Sequence, residues 1–333
     1  MATQLVRRLL WLPVVVWAVS TFTFFALRIV PGDVATTMAL QALTPAQIAD
    51  LRAQWGLDQP LHAQYGAFLG ELVRADLGTS FTQGKTVRAL LAERMPPTIE
   101  LTLVALAFSV VLGVGAGLVS ALCRNRWPDY LCRFVAVLGF SVPWFWLALM
   151  LIAVFSVGLR LTPVTGQLDP SIRLPRVTNF IIIDSLLAGN WRALGDYALH
   201  LILPTVAIGL SVAGFIARIT RSAMLEVLRQ DYVRVARSKG LHDRLVVLRH
   251  VLRNTLLPIV TFIGLMFGSL LGGAVVTETV FAWPGVGKML VDAIFKRDFP
   301  VVQGTVIVIG AMYVIINLLI DMLYVYIDPR LRA

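Results

Sequence analysis

Residues able to carry covalent, acid–base or metal chemistry are few in this chain, and they stand apart. The four histidines, His62, His200, His242 and His250, fall in separate segments, H-E-x-x-H is missing, and the two cysteines, Cys123 and Cys132, lie nine positions apart. No spacing among them suits a metal site, a disulfide framework or a nucleophile paired with its base. Gly209-Leu210-Ser211-Val212 begins like a serine nucleophile turn, but Ala213 occupies the place of the second glycine in G-x-S-x-G. Gly84-Lys85-Thr86 ends like a phosphate-binding loop, but the glycine needed upstream would be at position 79, which is Thr79. The chain is therefore expected to be non-enzymatic, with no catalytic residue, no metal and no cofactor of its own.

A different chemistry, recognition of a partner, is written into Arg218 to Pro258. Its apolar residues recur at helical spacing, as in Met224, Leu225 and Leu228, then Tyr232, Val235 and Ala236, while nine basic side chains interrupt them. Such a pattern predicts amphipathic helices outside a bilayer. Gly240 permits a sharp reversal before a second helical stretch begins at Asp243, so the segment projects a short helix that a partner can hold.

The elements that must position this loop are spans. Hydrophobic residues make up 58% of the 333 residues and charged residues only 14%, far from the roughly 25% charged of a soluble chain. Uncharged runs at 9–27, 101–123, 134–159, 197–217, 254–277 and 299–320 are 19, 23, 26, 21, 24 and 22 residues long. About 20 helical residues cross a hydrocarbon core, so six transmembrane helices are predicted. The first run follows Arg7 and Arg8 as a signal peptide would, but it is long for one and no small-x-small site follows closely; an uncleaved span is the preferred reading. With the N-terminus inside, 16 basic residues fall in the short inner segments, against 13 spread over about twice the length outside. Both termini are expected in the cytoplasm, and the net charge of +10 reads as membrane topology, not nucleic-acid binding.

Three divisions follow: 1–30, the N-terminal tail and first span; 31–98, an external insertion; and 99–333, a five-helix core carrying the cytoplasmic loop 218–258. In the insertion, Thr44, Pro45 and Gln47 predict a helix start running through Trp55, with a second helix over about Leu61 to Ala75. The apolar stretch Phe180 to Leu187 is too short to span and is expected to lie along the interface. Gly113 and Gly117, and Gly264, Gly268 and Gly272, repeat every fourth residue, a spacing that lets helices pack closely in lipid. Pro143 and Pro204 are expected kink positions. Glu278 is a candidate for meeting the ammonium of a peptide or a cationic ligand, with capping or pairing in the external loop as the alternative. Asn317 and Asp321 share a helix face where they could line an exit or hydrogen-bond within the bundle. The lone His250 suggests a structural hydrogen bond in the loop.

At this point the residues resemble a family. Arg234-Val235-Ala236, three residues, Gly240, nine residues, His250, then Leu252, Asn254 and Pro258 keep the full spacing of the EAA-type loop of ABC importer permeases. Arg234, Val235 and Arg253 depart from its usual Glu, Ala and Pro. Those departures, with DYVRVARSKGL, WGLDQPL, DLGTSF, SVPWFW, LTPVTG, TETVFAWPGVGKMLVDAI, RDFPVVQG and the terminal DPRLR, resemble the peptide and nickel branch, and within it the first dipeptide permease subunit. The resemblance covers nearly the whole chain. It implies an all-α, polytopic, type I importer permease in a bacterial inner membrane, forming half of a pathway for di- or oligopeptides, glutathione, opines or chelated nickel. It implies coupling through 231–258, with Tyr232, Arg234, Ala236, Lys239, Gly240, His250, Asn254 and Pro258 serving contact with the ATPases. Implied partners are a homologous second permease, either a distinct chain or a second copy, two ABC ATPase subunits holding ATP and Mg, an extracytoplasmic binding protein, and membrane lipid. An ion-coupled secondary transporter is the alternative, but the six uncharged cores lack the carboxylates it would use.

The topology is open to single-cysteine labelling on a background lacking Cys123 and Cys132. Position 85 is expected to label from the outside; labelling only from the cytoplasmic side would overturn the arrangement.

Overall fold

The computed structural model describes residues 2–29, 45–54 and 56–327. In chain order these residues form α1 (Ala2–Ile29), α2 (Pro45–Gln54), α3 (Leu61–Val73), α4 (Val87–Leu122), α5 (Trp127–Ser141) and α6 (Trp144–Leu151), which runs on as a π-type turn Ile152–Gly158. Then come α7 (Ile181–Leu187), α8 (Trp191–Val227), α9 (Asp231–Ser238), α10 (Asp243–Leu245) with a π-type segment Val246–Val251, α11 (Leu252–Val280), α12 (Val286–Phe295) and α13 (Phe299–Ile327). The expected insertion helices correspond to α2 and α3, although Thr44 and Trp55 lie outside the described residues.

Among the described residues α4, α8 and Phe299–Ile320 are long and apolar enough to cross a membrane unbroken. Two further pairs qualify if each is one bent span: α5 with Trp144–Gly158, bent by 102°, and Asp243–Leu256 with Pro258–Gly268, bent by 46°. The run expected as the first span falls in α1, whose apolar part, Pro13–Ile29, is shorter than the others. The expectation of one continuous helix over 134–159 is corrected. Val142 is extended (φ −83°, ψ 126°) and Pro143 has no N–H to continue the ladder, so the helix stops and restarts in a new direction. Pro204, by contrast, sits inside α8 without ending it.

Packing divides the chain into two compact units. One comprises Ala2–Pro96 and Pro284–Ile315. Here Val87, Leu90 and Leu91 of α4 are buried with Val286 and Met289 of α12 and with Val301 and Val302 of α13. Phe24 of α1 stacks on Phe68 of α3, with ring centroids 5.4 Å apart. Asp298, 1% exposed, pins the turn before α4 by accepting from Ser80 Oγ (2.5 Å), Thr82 Oγ1 (2.7 Å) and the Phe81 and Thr82 N–H groups. Lys85, in the near-miss phosphate loop, pairs with Glu93 at 2.9 Å.

The other unit is built from Pro97–Trp283 and the chain from Ile316. Its axis is α8, against which α4 and α5 press at glycines. A Cβ added at Gly113 would stand 2.7 Å from Ala213 O, at Gly117 2.6 Å from Thr220 Cβ, and at Gly139 2.8 Å from Leu210 O. On α8 itself, a Cβ at Gly214 would stand 2.5 Å from Ala136 O. Gly264 and Gly268 are buried in α11, while the side-chain position of Gly272 lies outside the described residues.

The α7 segment turns one face into the protein. Ile181 is fully buried in the core with Tyr197, Leu201 and Trp283, and only Ile183, Leu186 and Leu187 remain exposed. Two buried carboxylates hold it there. Glu100 accepts from the Ile181 and Ile182 N–H groups (3.1 and 2.9 Å) and from Tyr197 Oη (2.6 Å), satisfying donors that a helix start leaves unpaired. Asp184 accepts from the Val177, Thr178 and Asn179 N–H groups and from Thr178 Oγ1. Burial alone would raise the Asp184 carboxyl, but these donors hold it below the usual range.

Gly117→Ala is expected to lower the melting temperature in detergent, because overpacking of this kind costs about 1–3 kcal/mol. Gly115→Ala meets nothing within 4 Å and is expected to leave it unchanged or raise it, since alanine favours helix by up to ~1 kcal/mol. Equal shifts in the two variants would contradict the close approach of α4 to α8.

Candidate coupling site

After α8 ends, three residues lead into α9, where Asp231 occupies the first turn and Arg237 the last, each favourable to the helix dipole. Gly240 closes the helix at φ +78°, and its N–H donates to Arg237 O at 2.9 Å. An added Cβ there meets nothing within 4 Å, so the glycine serves the left-handed backbone and no close packing. His242 then caps α10, its Nδ1 accepting from the Arg244 N–H, and Asp243 reaches back to Arg237 at 3.1 Å. The chain returns through the π-type segment to α11.

This hairpin has two faces. Inward, Val233 and Ala236 of α9 pack with Val246 and Val251 of the returning segment, Met224 of α8 and Ala121 of α4, all buried. Outward, Tyr232 is 43% and Val235 52% exposed, flanked by Arg234, whose side chain is 80% exposed and 3.8 Å from Asp231. Leu241, Leu245 and Leu248 of the hairpin are exposed as well. Ala236, named with the residues for ATPase contact, instead turns its methyl into the hairpin's own core.

Asn254 joins the outgoing and returning arms, its Nδ2 donating to Tyr232 Oη (2.8 Å) and to His250 O (2.9 Å). Tyr232, His250 and Asn254 thus come together, although it is the backbone of His250 that takes part. Lys239 lies exposed at the end of α9 and Pro258 in the bend of α11. The residues named for a substrate path do not join this cluster. Glu278 is fully buried, where Thr98 Oγ1 donates to it at 2.6 Å. Asn317 is half-buried, and the side chain of Asp321 lies outside the described residues.

Sequence reading missed the polar junction directly beside the hairpin. Asp129, in the first turn of α5, accepts from Arg221 Nε and Nη2 of α8 (2.9 Å each), from Ser120 Oγ of α4 (2.5 Å) and from the Asn125 N–H (2.9 Å). The available signal was an aspartate among basic residues at the edge of an uncharged run; the partner, 92 positions away, had none.

Comparison with known proteins places this geometry in context. Residues 113–333 match the family described as binding-protein-dependent transport system inner membrane component, and residues 1–102 match its N-terminal companion. The chain is 41% identical, over the full length of both, to the dipeptide transport system permease protein DppB of Alkalihalophilus pseudofirmus. It is 42% identical to the di/tripeptide transport system permease protein DppB of Pseudomonas aeruginosa, covering 100% of this chain and 99% of that one. It is 39% identical to a glutathione transport system permease protein, GsiC, of Escherichia coli, with the same coverage. Among solved structures, an inward-facing form of the MetNI methionine ABC transporter covers 72% of this chain and 97% of its own, with a TM-score of 0.55 and 18% identity, a likeness of fold.

Gly240→Ala is expected to destabilise the hairpin by roughly 1–2 kcal/mol through its left-handed backbone. Ala236→Trp, which overfills the inner cluster, is expected to loosen it further. Hydrogen exchange of amides 231–251 in the purified chain should rise in that order, and protection equal to wild type in both would refute the two-faced arrangement.

Proposed function

From the premise that this chain belongs to the family of binding-protein-dependent transport system inner membrane components, we propose that its hairpin 231–258 is the surface gripped by a separate ATPase subunit. The supporting observation is the outward face of α9: Tyr232 and Val235, three apart on one helix face, stay exposed between basic side chains while the inner face is buried. Leaving apolar groups in water is unfavourable, and a short helix with apolar anchors suits insertion into a groove. The inner cluster prevents the helix from swivelling independently, so force applied at Val235 passes to the ends of α4 and α8.

In this reading the chain forms half of the translocation pathway beside a second, homologous permease. Two ATPase subunits holding ATP and Mg work on the cytoplasmic side, where both termini lie, and a binding protein delivers cargo from outside. Closure of the ATPases drives the bundle between inward- and outward-facing states as rigid bodies. The cargo is proposed to be a di- or tripeptide or glutathione, because relatives matching over full length carry those names.

Val235→Glu buries an unpaired charge in the proposed contact, a change that costs several kcal/mol. It is expected to abolish copurification with the ATPases at unchanged membrane abundance. Arg234→Glu is expected to act mildly, by about 0–1 kcal/mol, as an exposed pair. The chain alone is expected to hydrolyse no ATP. Full copurification of the Val235→Glu chain, or nucleotide-saturable hydrolysis by the lone chain, would refute the reading. Uptake of labelled dipeptide against labelled glutathione in proteoliposomes of the whole importer tests the cargo.

A further inference from the structure

Near the hairpin, α5 is the neighbour that the apolar cluster does not hold. The cluster's residues come from α4, α8, α9 and Val246–Val251, with Leu118, Leu225, Val227, Leu228 and Val247 packed around it, and none belongs to α5. What joins the first turn of α5 to the same place is Asp129. Its carboxylate is 0% exposed, and both oxygens are taken up by the fork of Arg221, by Ser120 and by the Asn125 N–H. Asn125 is held in the left-handed region at φ +60°, which aims its N–H at that carboxylate. Arg221 lies three residues before Met224, a member of the cluster, and Ser120 lies next to Ala121, another member. The polar junction and the apolar cluster thus sit side by side on the same ends of α4 and α8.

A buried carboxylate with a bidentate guanidinium differs physically from an apolar contact. It adds little net stability over a well-packed apolar replacement, because the carboxylate loses its water and the guanidinium, 21% exposed, loses most of its own. It does fix direction, since two parallel N–H···O bonds permit one relative orientation, and losing either partner strands a charge. That property suits a joint that must not slip.

We propose that Asp129 and Arg221 form an ionic clasp that carries movement of the α9 hairpin into α5, and through the bend at Pro143 into α6, so that the pair sets how tightly translocation is tied to ATP hydrolysis. Both are positioning residues, and the inference rests on the hairpin being the ATPase contact. Besides the clasp, α5 meets α8 through the close contacts of Ala136 with Gly214 and Gly139 with Leu210 and through the rings of Phe140 and Phe215, which hold the two helices side by side further from the hairpin and leave the direction of the first turn of α5 to the clasp.

The test uses the complete importer reconstituted in proteoliposomes. Asp129→Asn keeps the shape and removes the charge; Arg221→Lys keeps the charge and removes the fork. Both are expected to copurify with the ATPases as wild type does. The ATP hydrolysed per substrate transported should rise by roughly 5- to 150-fold in Asp129→Asn, the span of a typical coupling free energy, and by less in Arg221→Lys. Spin labels on Val135→Cys of α5 and Ser238→Cys of α9, both exposed and neither an anchor of the proposed ATPase contact, in a chain lacking Cys123 and Cys132, should keep one distance through the nucleotide cycle and a broadened one with Asp129→Asn. Wild-type stoichiometry in both variants at equal abundance, or a distance that changes on ATP binding with the clasp intact, would overturn the proposal. The distance in the intact chain requires no destabilising variant, so a failure of Asp129→Asn to fold leaves the test in force. If Val235→Glu uncouples the importer and Asp129→Asn does not, only the clasp fails; if Val235→Glu still copurifies, the hairpin reading fails first.

Discussion

A carboxylate taken out of water must find donors inside the protein, and in this chain that requirement decides where helices begin, turn and meet. Asp129, Asp184, Glu100, Glu278 and Asp298 are all nearly or fully buried, and each sits at a helix end or at the seam of two elements. A hydrocarbon interior offers no hydrogen bonds, so these groups gather at the margins of the apolar runs, where backbone N–H groups at helix starts are unpaired. Glu100 seats α7, Asp184 closes the loop before it, and Asp298 fastens the turn ahead of α4.

Within the apolar runs a second rule operates. Lipid does not drive apolar helices together, so contact depends on backbones approaching closely enough for dispersion and backbone polarity to act. α8 meets this rule on two sides, with Gly113 and Gly117 of α4 pressed against its main chain and Gly214 of its own pressed against Ala136. The result is a helix that cannot move without its neighbours. It is also the helix whose end leads directly into the hairpin.

The hairpin proposed as the ATPase contact is built from few residues. Eight residues of α9 divide into an inner pair, Val233 and Ala236, and an outer pair, Tyr232 and Val235; Gly240 turns the chain and Asn254 ties the arms. Because the inner pair belongs to the same cluster as Met224 and Ala121, the exposed pair is held in fixed relation to α8 and α4. Rigidity of this kind is what lets a local push become movement of a bundle.

Much of this was legible in the residues alone. The uncharged runs, the amphipathic pattern around Tyr232 and the turn at Gly240 are local signals, because helix periodicity and backbone sterics act within a few positions. The family resemblance rested on ordered spacing, which is also one-dimensional. Tertiary structure alone decided which side of α9 faces inward, and so moved Ala236 from a partner's surface into the hairpin core. It broke 134–159 into two helices, seated α7 against Glu100 and buried Glu278 against Thr98. It also paired Asp129 with Arg221 across 92 positions. A charge states in sequence that it needs a partner; which partner it meets depends on how α4, α5 and α8 close at their glycines, and that is a property of three helices together.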